Sequence, residues 1–351
     1  MQHGEEKKDR AAADDGKRPF YEYLDYIANT ELKSKSALQG ATRLRYDAAR
    51  SAQGGPLTQA AAQRVLRALR PGTVVLLTTG TGNPVWLPHG ETDGPSGVAV
   101  LARLFTNLGH RVCLLSEAHY LPGIRASVAA AGVPFLHEEN WRQRSIGALA
   151  IEAPLGRAAG ERFFSRLLDD MPEAAAAFFV EKPGPNIAGV AHNSSGKEKA
   201  ADTIAHLDLL ADLARSRGLM TGAVGDGGNE IGFGAIRKAL SETHPYGKAC
   251  GCRCGRGIIN ATEVDVLFPA AVSNWGAYAI AAAVALNLDR PTLMPPWREV
   301  KASIMAPLSH GAFDGYSGLS VPSVDGTSLE TNRAVYQLIC EVIRLAGTPA
   351  H

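Results

Sequence analysis

From Thr73 onward the chain repeats one device: a short, continuous apolar run, then a glycine-rich or polar loop, then a stretch with helical periodicity. The runs "TVVLLTT", "RVCLLS", "VPFL", "AAAFFVE", "LMTGAV" and "VDVLFPAAV" read as strands covered on both faces, the signature of a parallel sheet. Between them Pro95–Leu108, Gly123–Ala131, Ala200–Ser216 and Trp275–Ala285 read as helices. The expected fold is therefore α/β, a doubly wound, mostly parallel sheet with helices on both faces. Ahead of it an N-terminal helical extension is expected over Pro19–Leu38 and Thr58–Leu69; after it come a helix at Pro296–Met305, a Gly/Ser/Asp-rich loop over Ser309–Gly326 and a last helix over Leu329–Leu345. The division expected is a frayed segment 1–18, a helical extension 19–70 and one α/β domain 71–351, the extension serving as a cap or as a contact between copies in a homo-oligomer.

Charge narrows the partners. With 36 Lys+Arg against 35 Asp+Glu, no field gathers nucleic acid or an anionic membrane surface, and a small molecule becomes the expected partner. No run of eighteen apolar residues occurs, and the mixed-charge start "MQHGEEKKDRAAADDGKRPF" has no apolar core, so a cytoplasmic protein is expected. Five Cys, three of them within "CGCRCG", do not form the spaced even set of a secreted disulfide scaffold.

In open parallel sheets ligands bind beyond the carboxyl ends of the strands, so the loops there carry the function. After the first strand, "GTGNPVWLPHGETDGPSG" places Glu91 and Asp93 just before a helix; after "LMTGAV", "GDGGNEIGFG" places Asp226, Asn229 and Glu230 at a similar junction. The second loop is glycine-rich, yet it matches neither phosphate-binding pattern, and its carboxylates would repel a phosphate, so no nucleotide is expected. Carboxylates with an amide suit a hard divalent cation or a substrate ammonium instead. The same acids could also serve as helix caps.

A third loop, "KPGPNIAGVAHNSSGKEKA", follows Glu181 and carries Lys182, His192 and Asn193, a cation source for a substrate carboxylate or a solvated loop. In a fourth, "SNWGAYA", Ser273 and Asn274 read as helix cap or substrate contact, and Trp275 as packing. Cys250, Cys252 and Cys254 alternate, whereas zinc ligands more often come in pairs two to four residues apart, so metal binding stands beside a glycine-rich substrate loop or inert thiols.

These stretches in this order, "GTGNPVWLPHGETDGPSGVAVLARLFTNLGHRV", "EKPGPN", "GLMTGAVGDGGNEIGFG", "CGCRCGRGI" and "SNWGAYA", resemble the D-glutamate cyclase C-terminal domain family over roughly Leu57 to Leu345. The resemblance implies a hydro-lyase that closes D-glutamate to 5-oxo-D-proline with loss of water, with Mg2+ or Mn2+ as cofactor. Lys182 stands where that family would have arginine, the "NIAGVAHNSSGKE" stretch lacks its aromatic residue, and Phe233 replaces a methionine. Lactam closure needs a neutral amine, an activated carboxyl and a leaving water. Asp226 and Glu230 are the residues expected to bind metal or move protons, followed by Glu91 and Asp93. Asn229 and Asn274 are expected to orient carboxyl oxygens, Lys182 to pair with the α-carboxylate, and Ser273, Asn193, Gly227 and Gly228 to complete the substrate contacts. The alternatives are a hydrolase that opens a small lactam or cyclic amide, and a non-catalytic amino-acid sensor.

Overall fold

A computed structural model of the chain describes residues 16–33, 40–144 and 146–347. Its strands are β1 (Val74–Thr78), β2 (Arg111–Ser116), β3 (Ala148–Glu152), β4 (Ala174–Val180), β5 (Met220–Gly225) and β6 (Val266–Pro269). They form one sheet in the order β3-β2-β1-β4-β5-β6 with every neighbouring pair parallel. The doubly wound α/β expectation is met. Every residue of β1 and β5 is buried, which is why these strands read as unbroken apolar runs rather than alternating ones.

The helices are α1 (16–28), α2 (Ala41–Gln53), α3 (Leu57–Ala68), α4 (Pro95–Asn107), α5 (Leu121–Ala130), α6 (Glu138–Gln143), α7 (Arg157–Asp169), α8 (Leu207–Ser216), α9 (Arg237–Thr243), α10 (Ser273–Asn287), α11 (Trp297–Met305) and α12 (Leu329–Ala346). The β1–α4–β2 crossover steps one way along the sheet and β4–α8–β5 the other; with the same hand, the two helices fall on opposite faces. On one face α10 packs against α3, α4 and α12, and α4 against α5; on the other α7 packs on α8. Helix α10 is buried from Ser273 to Leu286, and the Trp275 indole donates to Asn332 Oδ1 at 2.8 Å, a packing role. Among the described residues no helix is long and apolar enough to cross a membrane.

Three local expectations are corrected. The strand expected at "VPFL" (133–136) meets the sheet only through the Phe135–Ala148 bridge, and the third strand is Ala148–Glu152. Pro134 has no N–H to donate, while β3 lies at the sheet edge, is partly exposed and is alanine-rich, so its own signal is weak. The helix expected over Pro19–Leu38 spans 16–28, and 34–38 lie outside the described residues, as do 1–15 of the expected frayed segment. The helix expected over Ala200–Ser216 is a 3-10 turn at Ala201–Thr203 followed by α8.

The extension is tied to the domain. Asp25 on α1 is fully buried and accepts from the amides of Leu57 (2.7 Å) and Thr58 (2.9 Å), the Thr58 hydroxyl (2.6 Å) and the Tyr46 hydroxyl (3.0 Å). It thus caps α3, whose preceding residue Pro56 offers no side-chain acceptor. Beyond α1 the chain continues without helix or strand to Lys33, which bonds Asp226 at the carboxyl edge of the sheet.

Candidate active site

The winding of the sheet reverses between β1 and β4, so the loops leaving their carboxyl ends diverge into a crevice. Glu91 and Asp93 come from the β1–α4 connection, Glu181 follows β4 directly, and Asp226 follows β5. One carboxylate oxygen each from Asp93, Glu181 and Asp226 lies within 4.8 Å of the other two. Glu181 takes φ +48°, in the left-handed region that a side chain disfavours. It is held there by its amide's bond to Val224 O (2.9 Å) and by the Ser273 hydroxyl, which donates to Oε2 at 2.5 Å. Strain of this kind gathers at functional sites.

Asp93 and Asn274 cap each other's helices. Asp93 accepts from the amides of Ser273 and Asn274 at the start of α10, both at 2.8 Å. Asn274 Oδ1 accepts from Gly94 (3.1 Å) and Gly97 (2.6 Å) at the start of α4, while its Nδ2 donates to Thr92 O (3.1 Å). Gly94 is needed where these turns meet: its φ is +97°, and a Cβ there would lie 2.2 Å from the Thr79 hydroxyl. The capping and the functional readings of Asp93 therefore hold together, whereas the amide of Asn274 is spent on backbone.

Crowded carboxyls in a dry site cannot all ionise. Burial and then the Asp226 charge push Asp93 up to about 7. Burial also holds Glu181, Glu91 and Asp325 well above the usual carboxylate range, reinforced for Glu181 by Glu230 and Asp226. Asp226 is the exception. Burial raises it, but the Lys33 ammonium and hydrogen bonds from Asp325 and Lys33 more than reverse this, leaving it below the ordinary value. Lys33 Nζ bonds Asp226 Oδ2, and bonds Asp325 Oδ2 at 2.5 Å. The Lys33 ammonium thus spans two carboxyls whose proton affinities are pushed in opposite directions, Asp226 down and Asp325 up.

The glycine-rich loop binds an anion, and that anion is its own. Glu230 accepts from the amides of Gly227 (2.8 Å), Gly228 (2.7 Å) and Asp226 (3.3 Å). Gly228 sits at φ +100°, which the turn requires. Gly227 and Gly228, expected to touch substrate, thus serve Glu230, which lies outside the trio of converging oxygens; burial and then the Asp226 charge raise its carboxyl, and the loop amides oppose that rise.

Lys182, expected to face a substrate carboxylate, is instead buried in an ion pair, donating to Glu117 Oε2 (2.5 Å) and Gly80 O (2.7 Å). Asn193 closes its own turn, its Oδ1 accepting from the amides of Ser195 (3.2 Å) and Lys197 (2.9 Å). Asn229 is buried with Nδ2 on His192 O (3.1 Å) and Oδ1 without a partner. Half-buried Glu91 lies beside Gly315 and feels the Lys199 ammonium, which donates to Gly82 O at 2.5 Å.

Sequence reasoning missed Lys33, Arg45 and Asp325, and named Glu181 without counting it as a site residue. Arg45 is 4% exposed; Nη2 donates to Thr42 (3.1 Å), but Nε and Nη1 have no partner. Burial lowers its pKa against the charges of Asp226 and Glu230, so this cation faces the acidic loop with unused donors. The signal available for Glu181 was its place directly after an apolar strand; the other three come from segments distant in sequence. A separate cavity of about 340 Å³, lined by Arg64, Arg67, Arg215 and Met220, opens at the amino end of β5, away from these acids.

The model of the D-glutamate cyclase-like C-terminal family matches residues 16–339. The human protein "D-glutamate cyclase, mitochondrial" is 27% identical over 219 residues, covering 60% of this chain; the match spans about a third (32%) of the human protein's own length. The match across nearly the whole chain, on a fold whose carboxyl edge gathers the acidic loops, shows that the chain belongs to the D-glutamate cyclase-like C-terminal family.

Proposed function

We propose that the chain closes D-glutamate to 5-oxo-D-proline with release of water, a hydro-lyase reaction. The observation that carries the reading is the convergence of oxygens from Asp93, Glu181 and Asp226 beside Lys33, whose ammonium bonds both Asp226 and Asp325. Carboxyls pushed apart in pKa are the usual mark of acid and base roles.

The amine nitrogen attacks the γ-carboxyl carbon, a C–N bond forms and a C–O bond breaks. Of the three ammonium protons one stays on nitrogen and two leave on the water, so no outside proton is needed. Asp226 accepts the first ammonium proton while Asp325 gives one to the departing oxygen; a proton then passes from Asp226 back to Asp325, and the second ammonium proton follows the same route, so the oxygen leaves as water and the pair ends as it began. Lys33 holds a primary ammonium against both carboxyls, the interaction a substrate ammonium would make on displacing it. Asn229 Oδ1 adds an acceptor, and the free donors of Arg45 take the α-carboxylate. Asp93, Glu181 and Asp226 offer hard oxygen donors that, with their protons displaced, would hold Mg2+ or Mn2+, and the ion would supply Lewis-acid chemistry at a carboxylate oxygen.

Kinetics of Asp226→Asn test this. Loss of a positioned proton acceptor should lower kcat by about 10²–10⁴-fold in a variant that still unfolds cooperatively. Turnover equal to wild type would sink the assignment.

A further inference from the structure

The motif "CGCRCG" takes no part in the chemistry above, yet its three thiols converge. Cys250, Cys252 and Cys254 place their sulfurs 3.3 Å apart in all three pairs. His192, from the loop after β4, points Nε2 at them, 3.2 Å from Cys252 Sγ and 3.8 Å from Cys254 Sγ. All four ligand atoms lie within 4.8 Å of one another, and all three cysteines are free thiols.

We propose that His192, Cys250, Cys252 and Cys254 form a structural zinc site that fastens the loop after β4 to the loop before β6. Thiolate and imidazole donors select zinc, and four protein ligands make a closed, tetrahedral site. With Zn–S bonds of about 2.3 Å, tetrahedral sulfurs stand about 3.8 Å apart, so binding needs the thiols to spread by about half an ångström. Turning, not extension, supplies this geometry: residues 251–254 form bends and a turn, with the Gly255 amide on Cys252 O at 3.3 Å, and the fold of the segment brings the three sulfurs together.

The histidine is the second, independent observation. His192 is completely buried, its Nδ1 has no partner, and Nε2 meets only sulfur, a weak hydrogen-bonding atom. Burying an imidazole for so little return is costly, and a metal bond at Nε2 offsets that cost. Amide donors already face the sulfurs, as they do around bound thiolates: Asn186 Nδ2 to Cys254 Sγ and the Cys254 amide to Cys252 Sγ, each at 3.4 Å.

The site has something to hold. Residues 181–200 and 244–265 contain no helix or strand, and irregular segments this long need fastening in a compact domain. His192 O accepts from Asn229 and Gly228 O from the Asn260 amide, so the junction also supports the acidic loop. The donors differ in kind from the oxygens of Asp93, Glu181 and Asp226, so the two sites would sort soft and hard cations.

The test uses the full chain, expressed with zinc supplied, dialysed against EDTA and assayed by elemental mass spectrometry. One zinc per chain is expected to survive dialysis, to fall to about none in Cys252→Ser, and to shield the three thiols from a colorimetric thiol reagent until the protein is denatured in the presence of chelator. Growth with cobalt should give the visible absorption of a tetrahedral cobalt–thiolate centre in wild type, a readout that does not depend on any variant folding. Wild-type protein carrying no zinc or cobalt, with its thiols reacting at once, would overturn the proposal, as would undiminished zinc in a folded Cys252→Ser variant.

Discussion

Lys182→Met distinguishes a structural lysine from a substrate-binding one. The ammonium and its partner are almost wholly buried, at 3% and 1% side-chain exposure. Glu117 keeps only neutral donors without it: the Ala205 amide at 2.9 Å and the Ser116 hydroxyl at 3.1 Å. Stranding a buried charge in this way costs about 3–5 kcal/mol. An unfolding entropy of about 2.1 cal/mol/K per residue over 351 residues comes to about 0.7 kcal/mol/K, so the melting temperature should fall by about 4–7 °C. Adding Glu117→Gln removes the stranded charge while keeping an oxygen for the Ala205 amide, and should recover most of the loss, a coupling that a double-mutant cycle measures by calorimetry. A single variant with unchanged melting temperature and a raised KM for glutamate would refute the reasoning and return Lys182 to the substrate.

Asp25 gives a pH signature. Its folded pKa of about 6 lies above the unfolded value near 3.9, so its contribution is full below about pH 4 and is lost as pH rises through 6. Relative to Asp25→Asn, wild type should lose about 2 kcal/mol between pH 4 and pH 7 in urea unfolding, and a flat difference would contradict the burial argument. Arg45→Met removes a buried guanidinium with two unused donors, so stability should hold or rise while KM for glutamate increases about 10-fold or more; an unchanged KM would show that Arg45 does not meet substrate.

The sheet was legible because strands buried on both faces leave unbroken apolar runs, and β3 was missed because its run is only four residues, Ala148–Ile151, with no β-branched residue but Ile151, and stops at Glu152 on a partly exposed edge strand. Asp93 and Asp226 were legible because loops after parallel strands converge on one edge. Glu181 gained its meaning only from the strand order, which puts β4 beside β1 at the reversal. Nothing local distinguishes Glu230, whose carboxylate turns back onto its own loop, from Asp226 four residues earlier, whose carboxylate turns outward. Lys182 sits in a motif that reads as ligand-binding, but its partner lies 65 residues away in sequence. Lys33 and Asp325 reach Asp226 from 193 residues upstream and from the tail loop, and no spacing rule joins them. The three alternating cysteines fall short of the usual zinc spacing until the fold supplies His192.

Chiral chromatography of the purified, chelator-treated chain incubated with D- or L-glutamate, with and without Mg2+ or Mn2+, addresses the central claim most directly. The account predicts 5-oxo-D-proline from the D-isomer, with turnover restored by the added cation and abolished in Asp226→Asn. Folded protein that yields no product from either isomer under any of these conditions would contradict it.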